Sequence, residues 1–287
     1  MTASARGATG AGSDRQARRL ADLAARLTQR DQQLCRLLAE HRVFTSHQLA
    51  DIAFNHLDTA EDRLRTLTTL QVLDRFRPRR DTGSAPYHYV LGPLGAAVLA
   101  AERGIGVADL GYRRATTLAI AHHRRLPELV RGNGFFAALA GYAHRHADAD
   151  LALWWSQRRC QATWGALVQP HGFGRWQQRG AVLDFFLECD SAADAPSRVT
   201  AAMAGYDELA RATPQLATVI LLWMTTPERE AEVRRALHPH GCLIATATRL
   251  GGRNPAEAGW LPLGSTTTTR RRLADLAHPR CWRLDWP

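Results

Sequence analysis

Apolar positions recur at helical spacing in the first third of the chain. Leu34, Leu37 and Leu38 share one face behind Thr28 and Asp31, a pair three residues apart that can cap a helix. Leu49, Ile52 and Ala53 repeat the arrangement behind Thr45 and Gln48. A third stripe, Leu64, Leu67 and Leu70, follows Asp58 and Glu61. The grammar then changes. Residues 72–76 and 87–90 are β-branched and aromatic, and the basic, Gly/Ser/Pro-containing segment 77–86 between them suits the tip of a hairpin. A further apolar helix is expected over 93–102, and the boundary of this region over 104–112.

The remainder alternates helices with short apolar runs. Residues 116–145 read as helical around a break at Gly132-Asn133-Gly134, and 197–211 and 228–237 as two more helices. Strands are expected over 151–155, 166–168, 182–189, 217–224 and 242–247. Such alternation favours a layered α/β domain with at least one parallel pair. Three helices followed by a basic hairpin are, by contrast, the order of a winged helix. The chain therefore divides into a flexible or helical extension (1–27), a winged helix (28–103), a linker (104–115) and an α/β domain (116–287).

Composition adds a partner class. The chain of 287 residues carries 37 basic side chains, all of them Arg, against 27 acidic ones, a net charge of +10 that suits a polyanion or an acidic protein surface. Residues 1–112 hold 15 Arg and 12 acidic residues, or +3; the rest holds 22 and 15, or +7. Five scattered cysteines give neither zinc-ligand spacing nor a disulfide framework, and read as small buried hydrophobes in a reducing compartment. Residues 1–14 lack the apolar core of a signal peptide, and no stretch approaches membrane-spanning length. A cytoplasmic protein without a membrane partner is expected.

Two sets of residues carry candidate chemistry. In a winged helix the third helix enters the major groove and the hairpin reaches phosphates. That nominates Thr59, Arg63, Arg65 and Thr66 on the helix and Arg77, Arg79 and Arg80 in the wing. Asp58, Glu61 and Asp62 crowd the same helix start and oppose phosphate, which keeps a protein-interaction module open as the alternative. The second set is Gln157, His171, Glu188 and Asp190. Glu188 and Asp190 flank Cys189 at a strand end, so both carboxylates point to one side and could bind Mg²⁺. The alternative is a polar strand end paired with Arg158, Arg159 or Arg175. Arg270-Arg271-Arg272 reads equally as a phosphate or acidic-protein contact and as a solvent-facing turn.

Several short motifs stand out together: Asn133 with Phe135-Phe136, the segment ending at Ser156, and Pro170-His171-Gly172-Phe173-Gly174. The most specific is Phe185-Phe186-Leu187-Glu188-Cys189-Asp190, followed by Met203-Ala204-Gly205-Tyr206 and, later, by Pro227-Glu228-Arg229-Glu230. On these residues the chain, from Thr28 to about Leu263, resembles the replication-relaxation family of plasmids and integrated mobile elements. The resemblance implies a winged helix joined to a restriction-endonuclease-like domain, with a role in replication or its control. Glu188 and Asp190 match the family pattern. Gln157 stands where it commonly has Glu, His171 where it has Asp, and Ala202 where it tends to have Lys. Those departures remove oxygen ligands and a positive charge from a nuclease-like site. The expected function is non-catalytic binding of double-stranded DNA in replication or transfer control, without a cofactor. Replication or transfer proteins and a second copy of the chain, as a homodimer, are further expected partners. A Mg²⁺-dependent nuclease using Glu188, Asp190 and His171 and a protein-interaction adaptor are the alternatives.

Overall fold

A computed structural model describes residues 22, 25–79, 83–191, 195–214, 216, 219–237, 241–249, 251–264 and 269–282. The chain forms two compact units, Met1–Arg124 and Arg125–Pro287.

In the first unit, α1 (Gln29–His41) starts at Thr28, whose hydroxyl accepts from the Asp31 N–H while the Asp31 carboxylate accepts from the Thr28 N–H at 2.7 Å. Thr45 and Gln48 form the same reciprocal box at the start of α2 (Ser46–Ala53). Two orphan donors are satisfied at each helix start, and this is why these two boundaries are readable from sequence. The third helix, α3 (Leu57–Thr69), begins at His56 with no side-chain cap, rather than at Asp58. Strands β1 (Phe44–Thr45), β2 (Leu73–Phe76) and β3 (His88–Leu91) form an antiparallel sheet in the order β1-β3-β2. Leu34, Leu38, Leu49, Leu64, Leu67 and Tyr89 are buried, each contributing roughly 1.5–3 kcal/mol of apolar burial. Helices α4 (Pro93–Glu102) and α5 (Arg114–Leu118) complete the unit. The expected linker over 104–115 lies within it, because Arg114 donates two hydrogen bonds to Asp74 of β2 at 2.8 and 2.7 Å.

The second unit is built on six strands: β4 (Ala149–Ser156), β5 (Gly172–Gln178), β6 (Ala181–Cys189), β7 (Val219–Met224), β8 (Leu243–Thr248) and β9 (Leu261–Pro262). They lie side by side in chain order, antiparallel except for β6–β7 and β7–β8. The helices are α6 (Leu126–Arg145), α7 (Gln157–Trp164), α8 (Pro196–Ala212) and α9 (Pro227–Ala236). Side chains alternate across the sheet. Phe185, Leu187, Cys189, Leu221 and Trp223 join Phe135, Phe136 and Leu139 of α6 in one core. Phe186, Ile220, Leu222 and Met224 join Met203 and Tyr206 of α8 and Val233 of α9 in the other. A mixed sheet sandwiched between helices is thus the α/β layering expected.

Three local expectations are corrected. Helix α6 runs unbroken through Gly132-Asn133-Gly134, since Asn133 is buried and Gly132 lies against His171, so packing overrides the poor propensity of glycine. Residues 166–168 are not a strand but a turn closed by Leu167 and Val168 N–H bonds to the Trp164 carbonyl. Strand β5 was not foreseen. A Cβ on Gly172 or Gly174 would stand 2.5 Å from the Phe136 or Phe185 ring respectively, so only glycine lets α6 settle on this strand.

Candidate functional site

Strand register collects the second set of candidates at one end of the sheet. Ser156 pairs with Gly172 and Gly172 with Leu187, which brings Gln157 at the start of α7, His171 and Glu188 to neighbouring chain ends. Glu188 points toward α8, where the Tyr206 hydroxyl donates to its Oε1 at 2.5 Å. His171 faces a carboxylate at each nitrogen: Glu188 Oε2 is 3.1 Å from Nδ1, and Glu128 Oε1 is 3.1 Å from Nε2. Arg125 in turn donates twice to Glu128, at 2.9 and 2.7 Å. The result is a chain of alternating donors and acceptors, Arg125–Glu128–His171–Glu188–Tyr206, that ties α6, β6 and α8 together.

The electrostatics follow from this alternation. Burial disfavours a charged His171, but hydrogen bonds to Glu128 and Glu188 outweigh it and lift its pKa to about 9, so the ring is an imidazolium at neutral pH. The Cys189 N–H, 3.2 Å from Nδ1, is a donor that only a neutral ring could accept. The Arg125 guanidinium, then His171, holds Glu128 far below the usual carboxylate range. Burial, reinforced by the Glu188 charge, pushes the Tyr206 phenol well above its ordinary value.

Asp190 has a different partner. Arg229 of α9 donates to both of its carboxylate oxygens, from Nε at 3.2 and 3.1 Å and from Nη2 at 3.0 Å. The two side chains are only 9% and 1% exposed. The Asp190 N–H donates to the Trp223 carbonyl, and its own carbonyl accepts from Arg131 at 2.8 Å. The two carboxylates expected as a Mg²⁺ pair are therefore each committed to side-chain donors of their own, Asp190 to Arg229 and Glu188 to His171 and Tyr206. Among the described residues no group of three or more His, Cys, Asp or Glu side chains is placed to hold a metal ion. The arrangement does not fit a divalent cation. Of the expected arginines, Arg175 is bound to Asp184 and the Arg159 guanidinium lies over the Trp155 ring. Ala202 is exposed, off the buried face of Met203 and Tyr206.

In the first unit the candidate residues separate by accessibility. Arg63 donates from Nε to Asp31 at 3.0 Å and from Nη2 to the same carboxylate, which is fully buried in the α1 capping box. It joins α3 to α1 instead of facing outward. Thr59, Arg65 and Thr66 are exposed; Arg65 pairs with the exposed Asp62 at 2.7 Å, and Thr66 donates to the Asp62 carbonyl. In the hairpin, Arg75 and Arg77 place their guanidiniums 4.2 and 4.0 Å from the centre of the Tyr87 ring. Arg77 and Arg79 are exposed, whereas Arg80 lies outside the described residues. Arg270 is not an outward contact, because it is bound to the buried Glu230 at 2.6 Å and to the Gly259 carbonyl. Arg272 heads a short turn through its N–H bond to Asp275.

Sequence reasoning missed Arg229, Glu128 and Arg131. The Arg125/Glu128 spacing at a helix start was a usable signal, while nothing local marks Arg229 as the partner of a residue 39 positions away.

These features define a mixed α/β protein in which a helical region with a small antiparallel sheet precedes a larger sheet domain. Among the described residues no helix is long and apolar enough to cross a membrane. The replication-relaxation family model matches residues 35–220, spanning parts of both units, and the chain belongs to that family. Searches of the curated proteins and of the solved structures gave no match.

Proposed function

We propose that this protein binds double-stranded DNA through its first unit, acting as a winged helix, and so controls or assists replication or transfer of a plasmid or integrated mobile element without cutting the DNA. Family membership supports the role in replication or transfer control. The observation that carries the DNA-binding reading is the hairpin, where Arg75 and Arg77 stack on the one Tyr87 ring. Stacking of that kind reduces the freedom of long side chains before a ligand arrives, and guanidiniums bind phosphate in a planar fork. Arg77 and Arg79 then supply phosphate contacts, while Thr59, Arg65 and Thr66 form the exposed face of α3 offered to base edges. Arg63 has a structural role in this scheme. A nuclease is not proposed, since the Asp190–Arg229 and Glu188–His171 pairings already occupy both carboxylates.

Fluorescence anisotropy with duplex DNA over a salt series tests the reading. Changing Arg77 and Arg79 together to Ala should lower the slope of log affinity against log salt by about 2 and weaken all sequences alike. Arg65→Ala should alter discrimination between sequences, by about 1–3 kcal/mol at the base it reads. Salt-insensitive binding that ignores all three changes in a folded protein would falsify the proposal and leave a protein-interaction adaptor in its place.

A further inference from the structure

The carboxyl ends of β6, β7 and β8 carry a cluster of donors that the DNA-binding reading does not use. On the face toward α6, Cys189, Trp223 and Ala247 are in register across the three strands. The next residues of that face are Thr225 and Arg249, one position beyond the last pair, Met224 and Thr248, and the Arg249 N–H continues the ladder to the Met224 carbonyl at 2.9 Å. Helix α6 reaches the same place from above. Phe135 packs edge-on against Trp223 at 5.3 Å, and Arg131, one turn earlier, bonds to the backbone of Asp190.

Two of these groups are unsatisfied. Arg249 Nε and Thr225 Oγ1 are both buried without a hydrogen-bond partner. A buried donor left unpaired carries its full desolvation cost, so two of them on adjacent strand ends ask for an acceptor. Charge gives its sign. Arg131 and Arg249 act on one another and have no carboxylate salt bridge among the described residues, because Asp190 is taken by Arg229, and Glu128 and Glu188 are taken by Arg125, His171 and Tyr206. Burial, and then the neighbouring Arg131, hold the Arg249 guanidinium below its ordinary pKa. Position agrees, since open sheets with parallel strands bind ligands at the carboxyl ends of those strands.

We propose that Arg131, Arg249 and Thr225 form a binding site for a phosphate dianion, free or as a terminal monoester, with the guanidiniums matching its two charges and the hydroxyl donating to a third oxygen. The site does not depend on DNA binding by the first unit. Its ligand is a phosphate group carried either free, as inorganic phosphate or a nucleotide, or at the 5′ end of a DNA strand. Asp190, clamped by Arg229, is the positioning residue, because it fixes Arg131 through its carbonyl.

Calorimetric titration of the full chain should use inorganic phosphate, a nucleoside monophosphate, and one single-stranded oligonucleotide prepared with 5′-phosphate and with 5′-hydroxyl ends. Phosphate binding is expected, raising the melting temperature, and Arg249→Gln and Thr225→Val should each weaken it about tenfold or more. Arg131→Gln should do the same, but it also removes a backbone tie, so the other two variants keep the test sound if that one unfolds. A preference of about tenfold for the 5′-phosphorylated strand, lost in Arg249→Gln, assigns the site to strand ends; binding of the small phosphates without that preference assigns it to a free ligand. No phosphate binding, equal binding in folded Arg249→Gln and Thr225→Val, or equal competition by an acidic peptide overturns the proposal. Because the first unit is present in both oligonucleotide arms, its contribution cancels from their difference.

Discussion

The two units use arginine in opposite ways. The excess positive charge is divided between them, 18 Arg against 12 acidic residues (+6) in the first and 19 against 15 (+4) in the second, yet several of the second unit's guanidiniums are turned inward. Arg229 is bound to Asp190, Arg270 to Glu230, and Arg234 to Thr246 and to the carbonyls of Leu261 and Pro262. In the first unit Arg65, Arg77 and Arg79 stand on the surface, and among the described arginines of the nominated set Arg63 is the one drawn inside. Net charge therefore says that a polyanion is welcome without saying where. Location depends on which arginines already have an internal carboxylate or carbonyl to satisfy them.

The contrast can be broken hardest at Arg229. Replacing it by Ala strands a buried carboxylate and should cost about 3–5 kcal/mol in denaturant unfolding; loss of less than 1 kcal/mol would mean the clamp is not structural. Next comes the His171 relay, which can be read through pH. The histidine pKa is raised on folding, so its stabilisation is complete below the unfolded value of 6.5 and disappears as pH climbs through about 9. A decline of roughly 3 kcal/mol across that window is expected in the native protein. In His171→Gln the same pH series should be nearly flat, and an unchanged slope would place the titration elsewhere. Smallest is the effect of the outward arginines. Arg79→Ala should change stability by less than about 0.5 kcal/mol while weakening DNA binding, and a large loss of stability would erase the distinction between the units.

How far sequence alone reaches depends on whether the determinant is local. Both capping boxes were legible because residues three apart settle them, and β6 and β7 because buried strands are apolar along their length. Pro93–Glu102 was bounded correctly by a proline at its first position. Strand β5 escaped notice, since Gly-Phe-Gly-Arg-Trp-Gln-Gln has no alternation to detect and its glycines answer to the Phe136 and Phe185 rings. At the site, Glu188, Asp190 and His171 were picked out from spacing and resemblance, and Gln157 does reach the same sheet end. Their mutual arrangement was not legible. Arg229 and Glu128 arrive from α9 and α6, far from both carboxylates in sequence, and only the fold shows that Arg229 takes Asp190 while Glu128 shares His171 with Glu188.

The Asp190–Arg229 clamp also sets the order of operations for anyone redesigning this sheet end. Converting it into a seat for a divalent ion is a problem of subtraction before addition: until the guanidinium is taken out of α9, an extra acidic ligand would meet a resident counter-charge that is part of the polypeptide and cannot be chelated away.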